Sequence, residues 1–225
     1  MQDFIEIYDN SLTSYQCKEM IDMMNDEDLT PGTCGSGDDG RPEVRKDVKD
    51  SQDVSGRFSE HITHPITINL VNSLQKGVDL YVKKHPQLSN LADWDAVDDY
   101  NFQKYNPAQG YFGNHCENES PAHMARVAVW MIYLNTVTEG GGTRFDNYDR
   151  VVDAVEGRLV IWPAYWTHHH HGIVSKTQTK YIVTGWFAYN TEDYTKKENE
   201  IIERSVERSV EKSMKDALSG LFSGL

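Results

Sequence analysis

The sequence has few cysteines, no long apolar run and no excess of positive charge. Its three cysteines, Cys17, Cys34 and Cys116, are an odd number at irregular spacing. This argues against a disulfide framework and indicates a reducing compartment, so we expect a cytoplasmic protein. No apolar run approaches the roughly 20 residues of a membrane-spanning helix, and residues 1–10 lack the basic and apolar regions of a signal peptide. The net charge of −13 disfavours general nucleic-acid binding, because phosphate backbones repel an acidic protein.

The first half of the chain has helical patterns and a polar segment. Apolar residues at helical spacing predict one helix that begins near Ser11 or Thr13 and a second over residues 66–84. Residues 30–60 are rich in Gly, Asp and Ser, which predicts a long loop. From about residue 100 the pattern changes to short β runs. Helices followed by strands indicate an α+β fold in which helices pack on one side of a β core.

The β runs are rich in aromatic and β-branched residues and are separated by glycine-containing turns. This pattern is typical of a sandwich or barrel. The runs are VAVWMIYL (127–134), RVVDAVEG (150–157), RLVIWP (158–163) and YIVTGWF (181–187).

The C-terminal segment differs from the rest. We predict one domain over residues 1–195 and an amphipathic helix over 196–225, because apolar residues recur every four positions from Ile202 to Phe222. Two interpretations stay open. The helix docks on its own domain, or it mediates self-association through residues 200–222.

A set of potential metal ligands stands out in the second half. His115 and Glu117 are two residues apart, so in a strand both side chains point to one side. The run His168–His171 offers another imidazole, and Lys180 follows it. Two histidines and one carboxylate on one face of a metal form the arrangement of non-haem Fe(II) oxygenases. Each part alone is weak evidence, since an isolated H-x-E is usually structural.

The order of these residues resembles the prolyl 4-hydroxylase-like branch of the Fe(II)- and 2-oxoglutarate-dependent dioxygenases. The resemblance covers roughly residues 100–189. Tyr105 stands ten residues before His115, as the tyrosine of the family that contacts the cosubstrate does. The MIYLN segment contains Tyr133, and GGTRF (141–145) and GRLVIW (157–162) match further family motifs.

The last family motif is a histidine followed ten residues later by a basic residue and then by a tryptophan. His170, Lys180 and Trp186 match this spacing, so the resemblance selects His170 among the four histidines, with His168 as the alternative. The carboxylate of the family is most often Asp, whereas this sequence has Glu117.

The resemblance implies a fold, cofactors and an activity. The fold is a double-stranded β-helix (jelly-roll) core over about residues 100–189, with flanking N-terminal helices. The cofactors are Fe(II), 2-oxoglutarate and O2, with ascorbate as a further candidate. His115, Glu117 and His170 would be catalytic metal ligands. The residues implied at the cosubstrate are Lys180, Tyr105, Tyr133 and Trp186; the alternative for the three aromatic residues is a core role.

The substrate is less determined than the reaction. The resemblance implies hydroxylation of prolyl residues in a peptide or protein, and we interpret residues 30–57 as a substrate lid. Hydroxylation of a free amino acid or another small molecule is the alternative. A different class is a non-catalytic metal-binding β-barrel that acts as an assembly protein, although Lys180 argues against it.

Overall fold

The computed structural model describes residues 2–35 and 42–190. The predicted C-terminal helix, including the segment proposed for self-association, lies outside these residues, so the prediction stays open. In the described part, neither α-helix combines the length and apolar character needed to cross a bilayer.

Two α-helices form where the sequence predicts them. Helix α1 spans Ser14–Asp26, and Thr13 caps it in a capping box with Gln16. This pair satisfies backbone N–H groups that the first turn leaves free. Helix α2 spans Pro65–Lys84; it begins with proline, whose fixed φ suits the first turn. Both predicted helices are therefore confirmed.

Twelve strands form three antiparallel sheets. The large sheet has the order β1-β10-β7-β12-β5-β4-β2, a smaller sheet has the order β11-β8-β9, and β3 pairs with β6. The strands are β1 (Glu6–Tyr8), β2 (Thr30–Pro31), β3 (Lys49–Asp50), β4 (Gln52–Arg57), β5 (Trp94–Tyr105), β6 (Gly110–Tyr111), β7 (Arg126–Tyr133), β8 (Thr143–Phe145), β9 (Arg150–Val152), β10 (Leu159–Pro163), β11 (His170–Gly172) and β12 (Lys180–Tyr189).

The large sheet is buried on both faces at its centre. In β7, Trp130 and Ile132 pack into a core that contains buried residues of α1 and α2. Val129 and Tyr133, on the opposite face, pack into a second core that contains buried residues of the smaller sheet. Strand side chains alternate between faces, which explains why this strand is a continuous apolar run. Helices on one face and a second sheet on the other confirm the α+β jelly-roll prediction.

The predicted loop over residues 30–60 is wrong in part. Gln52–Arg57 forms β4, which pairs with β5 inside the large sheet, so this part of the proposed lid is a fixed element. The sequence does not reveal the strand, because Val54 is its only large apolar residue. Strand β5 also begins six residues before the predicted start of the β region, at Trp94. Both strands form because their backbones find partners, and their polar side chains fit a half-exposed sheet.

Candidate active site

Three side chains from two distant parts of the sequence converge beside the smaller sheet. His115, Glu117 and His170 each offer a ligand atom, and these atoms lie within 4.8 Å of one another. Glu117 Oε1 is 3.3 Å from His115 Nε2 and 3.5 Å from His170 Nε2. The sequence suggested that His115 lies in a strand. In the structure it lies outside the named strands and forms an isolated β-bridge with His170. This bridge sets the two imidazoles side by side.

Backbone carbonyls fix the orientation of both imidazoles. His115 Nδ1 lies 2.9 Å from the carbonyl oxygen of Gly113, and His170 Nδ1 lies 2.9 Å from that of His168. A carbonyl only accepts, so each Nδ1 carries a proton and each Nε2 points into the cluster, where it has a lone pair for a cation when the ring is neutral. Metal-binding histidines are commonly oriented in this way.

The carboxylate of Glu117 is held from the side opposite the histidines. Trp186 Nε1 donates a hydrogen bond to Glu117 Oε2 at 2.8 Å, and Arg126 Nη1 lies 3.5 Å from the same oxygen. Arg126 also donates to the backbone oxygen of Glu117 at 3.0 Å and stacks on the Trp186 ring at 3.7 Å. These contacts leave Oε1 facing the two imidazoles. The longer arm of glutamate is therefore fixed in one orientation.

The electrostatics of the cluster favour an ionised carboxylate. Burial raises the pKa of Glu117, but hydrogen bonds and charge attraction from His115 and His170 outweigh burial and hold the pKa well below its usual range. Burial also lowers the pKa of His115, yet the hydrogen bond and charge of Glu117 raise it overall. The pKa of His170 is lowered by burial and then by repulsion from His115. One anionic and two imidazole ligands can therefore face a cation.

The other histidines of the run point elsewhere. His168 lies in a short 3-10 turn, Trp166–His168, and its Nε2 donates to the carbonyl oxygen of Asp3 at 2.7 Å. His169 Nδ1 bonds to the carbonyl oxygen of Trp166. His171 lies 3.3 Å from Asp146. The alternative ligand His168 is thus not brought to the cluster, because the chain turns before β11 instead of continuing as an extended strand.

A cavity of about 290 Å³ adjoins the cluster and contains Lys180. The Lys180 side chain is buried, and burial alone lowers its pKa to about 8. Among the described residues, no carboxylate forms an ion pair with its ammonium group. Nζ lies 4.6 Å from the centre of the Tyr105 ring, and the Tyr105 hydroxyl donates to Gln103 Oε1 at 2.5 Å. Lys180, Tyr105 and Gln103 all line the cavity.

Tyr133 and Trp186 differ from their expected positions at the cosubstrate. Tyr133 is not among the cavity-lining residues; its hydroxyl lies 2.7 Å from Thr143 Oγ1, and Thr143 lines the cavity. Trp186 lines the cavity but directs its N–H to Glu117. The structure therefore gives Tyr133 an indirect position behind the wall and gives Trp186 a contact with the candidate metal ligand.

Sequence reasoning missed several residues of the site. Arg126 belongs to no sequence motif that we recognised. It begins β7, and all the residues that follow it in this strand are buried. Tyr111 stacks on His115 with ring centres 3.9 Å apart. Lys49 lines the cavity and binds Asp53. Only the proximity of Tyr111 to His115 in the sequence could have been a signal.

The donor set and the cavity fit the group implied by the sequence. Two imidazole nitrogens and one carboxylate oxygen on one side leave further coordination positions open, as non-haem Fe(II) sites require. A buried ammonium without a carboxylate partner fits a dicarboxylic acid, since a buried charge is tolerable when paired. The lining combines these groups with apolar side chains of Met131, Trp162 and Ile182.

Comparisons with known proteins agree with this geometry. Residues 100–188 match the model of the 2OG-Fe(II) oxygenase superfamily. No curated protein sequence matches the chain. Three solved structures of similar fold are all described as prolyl hydroxylases.

The first is a viral collagen prolyl hydroxylase from Paramecium Bursaria Chlorella virus-1 in complex with 2OG; identity is 18%, 83% of this chain and 96% of the other are covered, and the TM-score is 0.61. The second is a Pseudomonas putida prolyl-4-hydroxylase with 17% identity and a TM-score of 0.61. The match covers 84% of this chain and 94% of the other. The third is a Trichoplax adhaerens prolyl hydroxylase in complex with a hypoxia inducible factor peptide fragment. Its identity is 15%, its TM-score is 0.61, and the match covers 85% of this chain and 86% of the other.

The residues that match the family model contain the whole cluster, Lys180 and the strands that carry them. The fold over 83–85% of the chain is similar to that of the three prolyl hydroxylases. Over residues 100–188 the chain therefore matches the 2OG-Fe(II) oxygenase superfamily, its described part has a fold similar to that of prolyl hydroxylases, and His115, Glu117 and His170 could hold an iron ion.

Proposed function

We propose that this protein hydroxylates a prolyl residue within a peptide or protein. The observation that carries the proposal is the length of the cavity lining. Lys180 lies opposite Tyr105 in the register of β12 and β5, at the end of both strands. Asp99, which also lines the cavity, lies six residues before Tyr105 in β5. At about 3.3 Å per residue this distance is roughly 20 Å, longer than a five-carbon cosubstrate needs. The fold shared with prolyl hydroxylases supports the same substrate class.

We assign a role to each residue of the site on the basis of its contacts. His115, Glu117 and His170 hold Fe(II) through Nε2, Oε1 and Nε2. The bound metal and 2-oxoglutarate supply the activation of O2 and its coupling to decarboxylation. Trp186 and Arg126 keep the carboxylate of Glu117 in place, as the hydrogen bonds of an outer shell commonly do.

Lys180 binds the distal carboxylate of 2-oxoglutarate. Its ammonium is a buried point charge, so a charge-assisted hydrogen bond to a carboxylate is strong there. Tyr105 packs its ring beside Lys180 and keeps the ammonium group on the cavity side. Tyr133 supports Thr143, the lining residue bound to its hydroxyl. Met131 and Ile182 exclude water from the reacting atoms.

The metal-site assignment predicts the effect of single substitutions. His115→Ala, Glu117→Ala and His170→Ala should each abolish turnover, because each removes one of three protein ligands. His169→Ala is the matched control: its imidazole bonds to a backbone carbonyl outside the cavity, so most activity should remain. Turnover is measured as succinate release in the presence of Fe(II) and 2-oxoglutarate. Full activity of His170→Ala would contradict the assignment.

The substrate class is tested with matched substrates. Proline-containing peptides, the same peptides with alanine in place of proline, and free proline are incubated with enzyme, Fe(II) and 2-oxoglutarate. We expect one added oxygen atom, found by mass spectrometry, only in proline-containing peptides. His115→Ala controls for oxidation by free iron. Turnover of free proline without any peptide oxidation would instead support a small-molecule hydroxylase.

A further inference from the structure

The His168 side chain is buried next to the metal cluster without pointing toward it. It is 3% exposed and belongs to the 3-10 turn that precedes β11. Its Nε2 lies 2.7 Å from the carbonyl oxygen of Asp3, and its Nδ1 lies 2.9 Å from Thr167 Oγ1. Since the carbonyl only accepts, Nε2 carries the proton and Nδ1 accepts from the Thr167 hydroxyl. Both nitrogens are therefore engaged away from the metal.

The backbone of the same residue contacts a metal ligand. The carbonyl oxygen of His168 accepts the hydrogen bond from His170 Nδ1 at 2.9 Å, and this bond orients the His170 ring. A shift of this carbonyl would turn the ring or leave Nδ1 without its acceptor. The side chain of His168 thus fixes the peptide group on which His170 depends.

The other end of this connection is the N-terminal segment, which is itself firmly held. Arg150 Nη1 lies 2.6 Å from Asp3 Oδ2 and donates to the carbonyl oxygen of Ile5 at 2.8 Å. The Tyr81 hydroxyl donates to the carbonyl oxygen of Phe4 at 2.9 Å. Phe4 has a φ of 56°, a left-handed conformation that is costly for a bulky side chain. Such a conformation persists where the surroundings over-determine it.

We propose that residues 2–5, acting through the Asp3 carbonyl and the His168 imidazole, position His170 for metal binding. His168 is thus a positioning residue, and the N-terminal segment, which lies far outside the residues that match the family model, is a working part of the metal site. The proposal rests on the proposed role of His170 as a ligand.

Two substitutions of His168 separate the positioning role from simple packing. His168→Gln keeps an N–H donor at the reach of Nε2, whereas His168→Leu keeps similar bulk without any donor. Leu74→Ala is the control: Leu74 belongs to α2 and is buried in the core on the other face of the large sheet, so this substitution lowers stability without touching the site. Each full-length variant is titrated with Co(II), which reports ligand geometry in its visible absorption spectrum. Thermal unfolding is measured in parallel.

We expect His168→Leu to bind Co(II) about tenfold more weakly with a changed spectrum, at the lower end of outer-shell effects. His168→Gln should bind within about threefold of the wild type, and Leu74→Ala should lose stability with an unchanged spectrum. Wild-type affinity and spectrum in His168→Leu would overturn the proposal. So would complete loss of binding in both His168 variants, because His168 would then be a ligand itself.

A milder variant covers the case in which His168→Leu does not fold. Arg150→Met removes the partner of Asp3 at a half-buried position, and we expect a two- to fivefold loss of Co(II) affinity, whereas unchanged affinity would overturn the proposal. His170→Ala distinguishes failure of the proposed function from failure of this inference. Co(II) binding that survives His170→Ala would reject His170 as a ligand, whatever the His168 variants do.

Discussion

Two lysines are buried in the wall of the same cavity, and they differ in their partners. Lys49 is 3% exposed; its Nζ lies 2.6 Å from Asp53 Oδ2 and donates to the carbonyl oxygen of Thr33 at 3.2 Å. Asn101 also donates to Asp53 Oδ2, at 2.9 Å. Lys180 is 6% exposed and has no ion-pair partner among the residues described.

The difference separates a lysine that is paired within the protein from one whose charge is available to a ligand. The charge of the Lys49 ammonium is balanced by the Asp53 carboxylate of β4. The same ammonium also binds the backbone at Thr33. The Lys180 ammonium has no such partner in the described part of the chain, and its burial lowers its pKa to about 8. A buried cation without a protein partner is tolerated where a ligand anion completes the pair. The comparison therefore predicts different effects of the same substitution: lower stability at Lys49 and weaker cosubstrate binding at Lys180.

The largest expected effect is on stability at Lys49. Lys49→Met leaves the Asp53 carboxylate buried without its cation, and removing one partner of a buried pair typically lowers the free energy of unfolding by about 3–5 kcal/mol. Chemical denaturation measures this loss. The double variant Lys49→Met/Asp53→Leu should recover much of it, because no unpaired charge is left. A loss below about 1 kcal/mol in Lys49→Met would end the distinction between the two lysines.

Lys180→Met should weaken cosubstrate binding without lowering stability. Losing a buried charged partner costs about 2–5 kcal/mol of binding, or about 30-fold to several thousand-fold in 2-oxoglutarate affinity. Calorimetric titration in the presence of Co(II) measures this affinity. Lys180→Arg, which keeps the charge, should retain more of it, and metal affinity should change little in both variants. Equal 2-oxoglutarate affinity in Lys180→Met and the wild type would remove Lys180 from the site.

The smallest expected effect is the pH dependence of 2-oxoglutarate affinity that results from deprotonation of Lys180. Its pKa in the folded protein is about 8, below the ordinary 10.5. The buried charge therefore destabilises the free protein fully below pH 8, and this destabilisation is relieved as the pH rises from about 8 to 10.5. Binding of 2-oxoglutarate requires the charged form, so affinity should fall up to about tenfold per pH unit above pH 8. Titrations from pH 7 to 9 test this slope, and Lys180→Arg should flatten it.

Much of the β core was predictable because its strands are buried on both faces. The run at 127–134 is almost entirely apolar and aromatic, and only a strand at the centre of the sheet can bury all of it. Strand β4 was missed for the opposite reason. Its residues are mostly polar and its position depends on pairing with β5, which is distant in sequence.

The candidate ligands could be selected from the sequence through its resemblance to a known family, but their surroundings could not. The ten residues between His170 and Lys180 are a local feature that a resemblance can use. The contacts of Trp186 and Arg126 with Glu117 join positions that are far apart along the chain, and no periodicity encodes them. The position of Tyr133 behind the cavity wall likewise depends on packing in the second core and on contact with Thr143, which the sequence does not show.

The sequence by itself predicted the two helices and most strands, since apolar periodicity is a local quantity, and its resemblance to a known family indicated the reaction class and selected His170 as a candidate ligand. Only the tertiary structure decided which lysine is paired, how Glu117 is oriented and where His168 points. These depend on distances between residues that are remote in sequence, and burial and charge act through those distances.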